Sequence, residues 1–422
     1  MSAVLGRTNI GWYSFLVCFP RSWYYLYKTV LIPYPYREGL TALLSAGTFL
    51  PLTVAAVASA WEGGRLSDSS VAISTSPRHP LIIATLSILP TFIVVTLSHL
   101  AATAIVLASH GVNRPLPEPR LYLGLIALIY GISILSWFVG YFFTNVIGAP
   151  LMAVLVYLLA ISPSLTSHIG YRAMVADRST CCGIDEQVDW RSVATPLYIA
   201  LGLILVSLAI ASWLWIRRGV YPVLGLIGVA AIVAGLVLPG QMTNRFATSP
   251  RDADQRICET STETSIKYCV WPEQRSSLSS IREFADKALK TWSEQGVIDL
   301  PKAVSSRKAG QTSDGYLAIS FPPNPTQGAI GLALATGSLP DPSLCQGQAP
   351  RGFGYFQLVI WLAIDGGASP DDTAFKQFRG RGSSGSLQDA LAIRQQLIND
   401  QITWYTQNSE ALRSCTTTLG GS

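Results

Sequence analysis

Charged side chains are scarce in this chain of 422 residues: Asp, Glu, Lys and Arg make up 13% of it, about half the ~25% usual in soluble domains. Six stretches contain none of the four. A surface helix needs charge on its wet face, so these stretches exclude ordinary surface helices. Each is close to or above the roughly 20 residues that cross ~30 Å of hydrocarbon. They are Leu40–Trp61, Leu81–Ser109, Leu121–Thr144, Val146–Ser167, Leu197–Ile216 and Val220–Leu238.

Histidine is absent from residues 241–422, because the chain's four histidines all precede them. This absence excludes an HExxH zinc site or a Ser-His-Asp arrangement built within that region. The chain also lacks a GxxxxGK[ST] loop and so cannot bind ATP in the P-loop manner. We therefore expect no catalytic residues, no metal site and no cofactor, and we predict that the chain is not an enzyme.

The charges missing from the first part of the chain are found in the second. Residues 1–240 carry 13 Lys and Arg against 8 Asp and Glu, whereas residues 241–422 carry 17 of each. This division predicts a polytopic α-helical membrane protein of about six spans, with its helix bundle at residues 40–240. Residues 241–422 are expected to form a mainly helical α+β domain outside the bilayer. No concentrated basic patch points to a nucleic-acid partner.

The N-terminal segment has two interpretations. Residues 12–32 are long enough to span, but Arg21 would lie near the bilayer centre at a cost of ~2.5–3.5 kcal/mol. The Trp and Tyr residues within Trp23–Tyr27 also favour the headgroup level. We therefore interpret residues 1–39 as an interfacial or partial first-span segment, with a true crossing as the alternative.

Cysteine usage predicts the side on which the second domain lies. With six spans, the loops at 62–80, 145 and 217–219 share one side, and the loops at 110–120 and 168–196 share the other with the C-terminal domain. Six of the chain's seven cysteines fall on this second side. Disulfides persist in oxidising compartments, so we predict a multi-pass protein of the cell membrane with an extracytoplasmic C-terminal domain. Arg217 and Arg218 after the fifth stretch favour a cytoplasmic location for the first side.

The C-terminal domain holds four cysteines, an even number suited to disulfides. Cys258 and Cys269 are close in sequence and are expected to close a local loop, which leaves Cys345 and Cys415 as the other candidate pair. Four cysteines allow three pairings, so the sequence does not fix the connectivity. Unpaired buried thiols are the alternative.

Helical periodicity is clear in the C-terminal domain. A helix is predicted from Ser280, with Ser280 and Glu283 as its capping box and Gly296 at its end. The carboxylates of Asp371 and Asp372 suit a loop or a helix N-terminus better than a metal site. Further elements are predicted at Gly315–Phe321 (a short strand), Tyr355–Ile364 (a buried helix or strand) and Ser386 to about Gln407 (a helix). The residues expected to face inward on this last helix are Leu387, Ala390, Leu391, Leu397, Ile398, Ile402 and Tyr405.

His99 is the only strongly titratable side chain within a predicted span. A polar residue there faces the bundle interior and is a functional candidate by default. A hydrogen bond between packed helices is the alternative role, and we favour it.

Two stretches carry a family resemblance. Residues 57–80, VASAWEGGRLSDSSVAISTSPRHP, leave one apolar span and enter the next through a short Arg-bearing loop. This segment resembles the coupling region of permease subunits of ABC-2-type ABC transporters, particularly actinobacterial ones. Residues 258–275, CETSTETSIKYCVWPEQR, resemble the start of the extracytoplasmic domain that some of these permeases carry. The N-terminus departs from the family because it lacks a clean first span.

The resemblance implies a membrane subunit that works with a separate ABC ATPase subunit, as a homo- or heterodimer in the bilayer. Nucleotide-driven closure of the ATPase would be passed through residues 62–80, where Trp61, Glu62 and Arg65 are the candidate coupling residues. Their alternative reading is an ordinary interfacial Trp beside a solvated ion pair. The alternative function is a membrane-anchored extracytoplasmic module that binds a ligand or acts as a sensor.

Overall fold

The computed structural model divides the chain into two compact units. Unit 1 comprises Met1–Cys182 and Glu186–Pro250, and unit 2 comprises Gly183–Asp185 and Arg251–Ser422. The structure describes residues 19–25, 37–67, 79–109, 118–162, 169–177, 184–216, 221–241, 248–306, 315–319, 321, 325–340, 354–378 and 385–414. Within these ranges each unit has its own buried core.

Unit 1 is built from long apolar helices. Four of the helices in the described residues are long and apolar enough to cross a membrane, which gives unit 1 the fold of a helical membrane protein. Its helices are α1 (Arg37–Leu44), α2 (Phe49–Ser67), α3 (Pro80–Ser109), α4 (Pro119–Ile161), α5 (Trp190–Ile216) and α6 (Tyr221–Val237), and its strands β1 (Glu186–Val188) and β2 (Thr248–Pro250) pair antiparallel.

Helix α4 reverses direction at Thr144, where the backbone leaves the helical region with φ 64° and ψ 166°. A Cβ atom added to Gly148 would lie 2.7 Å from the Cα atom of Gly140. Eight residues of an unbroken helix would instead separate these positions by ~12 Å. Helix α4 is therefore a hairpin of two antiparallel arms, and its turn falls between the predicted stretches Leu121–Thr144 and Val146–Ser167.

The first predicted span differs from the observed helices. Instead of one helix over Leu40–Trp61, the chain forms α1, a 3-10 turn at Ser45–Gly47, and α2, which continues to Ser67. Residues 62–67 are thus helical, whereas the sequence predicted a loop from residue 62. Two charges in this extension, Glu62 and Arg65, are three residues apart on one helical face and neutralise each other.

Of residues 1–36 in the N-terminal segment, the structure describes only residues 19–25, which are helical. Phe19 packs against a small apolar cluster that contains Leu40 and Val106. Tyr25 makes an edge contact with Phe49, with 5.6 Å between the ring centroids. This part of the segment therefore lies against the bundle, and both interpretations of residues 12–32 stay open.

Unit 2 contains a four-stranded sheet flanked by helices. The sheet has the order β3-β4-β5-β6, with β3 antiparallel to β4 and the other pairs parallel. Its elements are β3 (Ile257–Thr260), β4 (Lys267–Val270), α7 (Leu278–Glu294), β5 (Ala303–Ser306), β6 (Tyr316–Ile319), α8 (Gln327–Ser338), α9 (Gly354–Asp365), α10 (Gly385–Arg394) and α11 (Ile398–Arg413). The core joins the sheet to the helices through large buried side chains such as Trp292, Trp361 and Phe375.

Two predicted elements of unit 2 are confirmed. The strand predicted at Gly315–Phe321 is β6. The segment Tyr355–Ile364 is helical and belongs to α9, and every residue from Leu358 to Ile364 is buried, whereas Phe356 is 45% exposed. The predicted bond between Cys258 and Cys269 is also present, and the two residues are directly opposite each other in the β3-β4 ladder.

The predicted capping box of α7 is wrong. The helix begins at Leu278, so Ser280 lies inside the first turn, where its hydroxyl donates to the carbonyl oxygen of Ser277. A preceding 3-10 helix at Pro272–Ser277 leads directly into α7. The predicted end is confirmed, because Gly296 follows the helix with a φ of +71°, a backbone conformation that favours glycine.

The helix predicted over Ser386–Gln407 is two helices, α10 and α11. Leu397 has extended backbone angles at the break, and Leu397 and Ile398 are exposed rather than inward. Leu387, Ala390 and Tyr405 are buried, as predicted. The buried amide of Gln401 explains why the break is tolerated: it donates to the carbonyl oxygens of Arg394 and Gln396 that the interrupted helix leaves unpaired.

Candidate functional site

The predicted coupling residues lie together on the last turns of α2. The Arg65 guanidinium donates to both carboxylate oxygens of Glu62, at 3.2 and 3.3 Å. Glu62 is buried, whereas Trp61 is 41% exposed and the Arg65 side chain 39% exposed. The turn therefore presents an aromatic ring and a cation outward, and its acid is directed toward the bundle.

The opposite face of this turn packs on the α4 hairpin without side chains in between. A Cβ atom at Gly63 would overlap the carbonyl oxygen of Trp137, and one at Gly64 would overlap the backbone of Asn145 beside the hairpin turn. One turn earlier, a Cβ atom at Gly140 would overlap the carbonyl oxygen of Ala60. The two helices are thus in backbone-to-backbone contact, which small residues allow in membrane bundles.

His99 is buried at 2% exposure in α3. Among the described residues neither of its ring nitrogens has a hydrogen-bond partner, so the interhelical bond that we favoured is not seen there. The ring lies 6.3 Å from that of Tyr122 and lines a cavity of about 10 Å³ with Thr41, Thr48 and Tyr122. A cavity of this size holds about one water molecule.

In unit 2, the buried carboxylate of Asp286 accepts hydrogen bonds from three hydroxyls. Ser261 donates at 2.6 Å, Thr264 at 2.5 Å and Tyr268 at 2.7 Å. Burial raises the pKa of Tyr268, and the bond to Asp286 and its negative charge raise it further. The cluster fastens the β3-β4 hairpin to α7.

Two more acids of unit 2 have defined structural partners. Asp372 accepts from the Thr326 hydroxyl at 2.7 Å and from the backbone N–H of Gly328 at 3.0 Å, at the N-terminus of α8. This confirms the prediction of a carboxylate at a helix N-terminus. Asp365 is paired with the Arg394 guanidinium, and burial raises the pKa of Asp365 while the charge of Arg394 opposes that shift.

Several predicted residues fall outside the described part of the chain. Cys345 and Cys415 are among them, so their pairing stays a prediction, as does a role for Arg217 and Arg218. In the residues that the structure does describe, no group of three or more His, Cys, Asp or Glu side chains could hold a metal ion.

The sequence reasoning missed the parts of the site that contain no functional group. The sequence predicts a loop that includes Gly63 and Gly64, whereas both residues belong to α2. It does predict a short loop at Asn145, which follows the reversal of α4 at Thr144, but not the backbone contact made there. The adjacent glycines after Glu62 are the available signal, because small residues let the backbones of membrane helices approach closely.

Comparisons with known proteins add one finding. The profile of a family described as a domain of unknown function (DUF7224) matches residues 268–415, all of them within unit 2. No curated protein matches the chain. No solved structure matches it either.

Proposed function

We propose that this chain is the non-catalytic membrane subunit of an ATP-driven transporter of the ABC-2 type, coupled to a separate ATPase subunit. The observation that carries the proposal is the end of α2. Trp61 and Arg65 are exposed there, on a turn whose other face is in direct backbone contact with the α4 hairpin. An ATPase bound to Trp61 and Arg65 would act on the bundle through that contact.

Movement at this turn cannot be absorbed locally. Side chains between two helices can change rotamer, but Gly63 and Gly64 have none, and the atoms they meet in α4 are backbone. A displacement of the turn therefore shifts the hairpin as a body, because packed interfaces change by discrete movements of whole elements. Both arms of the hairpin contribute to the bundle core, through residues such as Leu128 and Met152.

Contacts at the two ends of the helices support six crossings. At one end Gly64 lies beside Asn145. At the other end the Thr41 hydroxyl accepts from the backbone N–H of Glu118 at 2.6 Å, and β1 pairs with β2 just before unit 2. A chain that crosses the membrane six times places the two partners of each of these contacts on the same side. In this topology unit 2 leaves the membrane opposite Arg65, on the extracytoplasmic side, where the Cys258–Cys269 bond is stable.

Reconstitution with candidate ATPase subunits from the same gene neighbourhood tests the proposal. The chain and each ATPase are co-expressed, purified in mild detergent and placed in liposomes for ATP hydrolysis measurements. We expect a stoichiometric complex whose hydrolysis rate depends on the membrane subunit. Trp61→Ala and Arg65→Glu should each weaken the complex by about tenfold or more, since exposed Trp and Arg dominate binding energy at interfaces.

The matched control is Arg282→Glu, which reverses the cation of an exposed ion pair in unit 2. Arg282 donates to Glu259 at 2.8 Å, and its side chain is 37% exposed, close to the 39% of Arg65. The control should bind the ATPase as the unaltered chain does. If Arg65→Glu also binds normally, or if no candidate ATPase associates with the chain, the proposal is wrong.

A second candidate function is a membrane-anchored extracytoplasmic module that binds a ligand or acts as a sensor. It is favoured by the self-contained core of unit 2 and by a family match that lies wholly within this unit. This function predicts that residues 251–422, produced under oxidising conditions, fold alone and bind a ligand. It also predicts that Trp61→Ala and Arg65→Glu leave ligand binding unchanged, which separates this function from the transporter.

A further inference from the structure

Unit 1 contains a cavity of about 440 Å³ at the ends of helices α4 and α5, beside the β1-β2 pair. Its volume lies within the ~300–1,000 Å³ typical of small-molecule sites. The polar part of its wall includes Glu118, Arg120, Gln187 and Ser249. It is distinct from the coupling turn, because it lies at the starts of the two helices and the turn meets α4 beside Asn145.

One wall of the cavity carries a fixed pair of opposite charges. Glu118 is buried, and its carboxylate accepts from Arg120 Nε at 2.8 Å. Its backbone N–H donates to the Thr41 hydroxyl, which holds the acid in place. The Arg120 side chain is 72% exposed. A ligand that carries only one sign of charge would be repelled by one member of this pair, whereas a zwitterion can complement both.

The remaining wall is apolar and leads into the membrane-spanning helices. Leu121 comes from the first turn of α4, and Val193, Ala194 and Leu197 come from the first two turns of α5. Trp190 begins α5 and is 64% exposed, and tryptophan concentrates at the level of the lipid headgroups. The cavity therefore lies across the boundary between the charged and apolar layers, as the binding site of an amphiphile must.

We propose that this cavity binds a phospholipid with a zwitterionic headgroup of the ethanolamine type. The phosphate pairs with Arg120, the ammonium group pairs with Glu118, and an acyl chain follows Val193 and Leu197 toward the hydrocarbon. The proposal depends on insertion of α4 and α5 in a bilayer. It does not depend on an ATPase, so it can fail or succeed independently of the transporter function.

Native mass spectrometry of the full chain, released from detergent with defined lipids, tests the headgroup assignment. We compare phosphatidylethanolamine, phosphatidylglycerol and diacylglycerol with the same acyl chains. Phosphatidylethanolamine should bind best. Arg120→Gln should weaken both phospholipids about tenfold and leave diacylglycerol unchanged, because it removes a charge-assisted bond to phosphate. Glu118→Gln should abolish the preference for ethanolamine over glycerol. Equal binding of the three lipids, or no effect of Arg120→Gln, overturns the proposal.

A steric variant tests the position of the site without altering its charges. Ala194→Trp fills the cavity from α5 and should remove the selective lipid adduct. Leu226→Trp places the same ring at a position of α6 that is 71% exposed, and it should leave the adduct intact. Loss in both variants, or retention in both, contradicts the assignment. So does binding of water-soluble phosphoethanolamine as tight as that of the lipid, because the apolar wall would then contribute nothing.

Discussion

The contact between helices α5 and α6 offers a sharp test of the packing in unit 1, through two glycines of α6. A Cβ atom at Gly228 would lie 2.9 Å from the carbonyl oxygen of Gly202 and 2.9 Å from the backbone nitrogen of Val206. A Cβ atom at Gly225 would meet only the Cβ atom of Ala209, at 3.7 Å, which is ordinary van der Waals contact. Gly228→Ala therefore requires the two backbones to separate, whereas Gly225→Ala does not.

The expected difference in stability follows from this geometry. To reach even the 3.4 Å of ordinary contact, the new methyl group must push α5 away, and overpacking of this kind costs ~1–3 kcal/mol. Lipid gives no hydrophobic drive to hold the helices together, so lost close packing is not recovered elsewhere. Gly225→Ala should change stability by no more than about 1 kcal/mol, in the stabilising direction that helix propensity favours.

Unfolding by SDS in mixed micelles, followed by helical circular dichroism, measures both variants under the same conditions. We expect Gly228→Ala to lower the free energy of unfolding by ~1–3 kcal/mol and Gly225→Ala to match or exceed the unaltered chain. Cysteines placed across the α5-α6 contact should also cross-link more slowly in Gly228→Ala alone. Equal stability of the two variants would refute the close approach of these helices.

Two further predictions concern acids of unit 2. Arg394→Met leaves the buried carboxylate of Asp365 without its ion-pair partner. Because the Arg394 side chain is 34% exposed and the pair is partly screened by solvent, chemical denaturation should show a loss of ~1–3 kcal/mol, and the double variant with Asp365→Leu should recover part of it. Asp372→Asn should destabilise the protein at pH 7 and progressively less in acid. Burial raises the pKa of Asp372, but the hydrogen bonds that its carboxylate accepts from Ala374, Thr326 and Gly328 lower the pKa by more. The net pKa is therefore below the usual ~3.9. The carboxylate therefore contributes stability above its unfolded pKa and loses it as the pH falls through the folded pKa; a difference that is constant from pH 7 to pH 2 would contradict this reason.

The membrane helices were predictable because hydrocarbon leaves few choices to a sequence. A backbone within lipid must satisfy its own hydrogen bonds, so a long run without charge becomes a helix. The runs that begin at Leu81, Leu197 and Val220 correspond to α3, α5 and α6. The first run was less well predicted because its borders are set by packing: the chain turns at Ser45–Gly47 and its helix continues past Trp61.

The helices of unit 2 were predictable from sequence where one apolar face is buried. They were less predictable where a single polar side chain determines where a helix ends. The apolar pattern of α7 is continuous, and its ending glycine was correctly identified. The pattern across α10 and α11 is also continuous in sequence. The break between them depends on the side chain of Gln401, which donates to the carbonyl oxygens of Arg394 and Gln396. The apolar pattern of the sequence gives no sign of these two hydrogen bonds.

Glycine shows most clearly why the candidate site could be recognised only in part. Trp61, Glu62 and Arg65 stand out in the sequence because aromatic and charged residues are rare beside an apolar run. Gly225 and Gly228 lie in one helix and have the same chemistry, yet only Gly228 meets the backbone of another helix. The role of a glycine is set by what faces it, and that partner lies elsewhere in the chain. The same argument applies to Gly63 and Gly64. In the transporter that we propose, exposed side chains would bind the partner subunit, but the contact that would transmit its movement consists of backbone atoms.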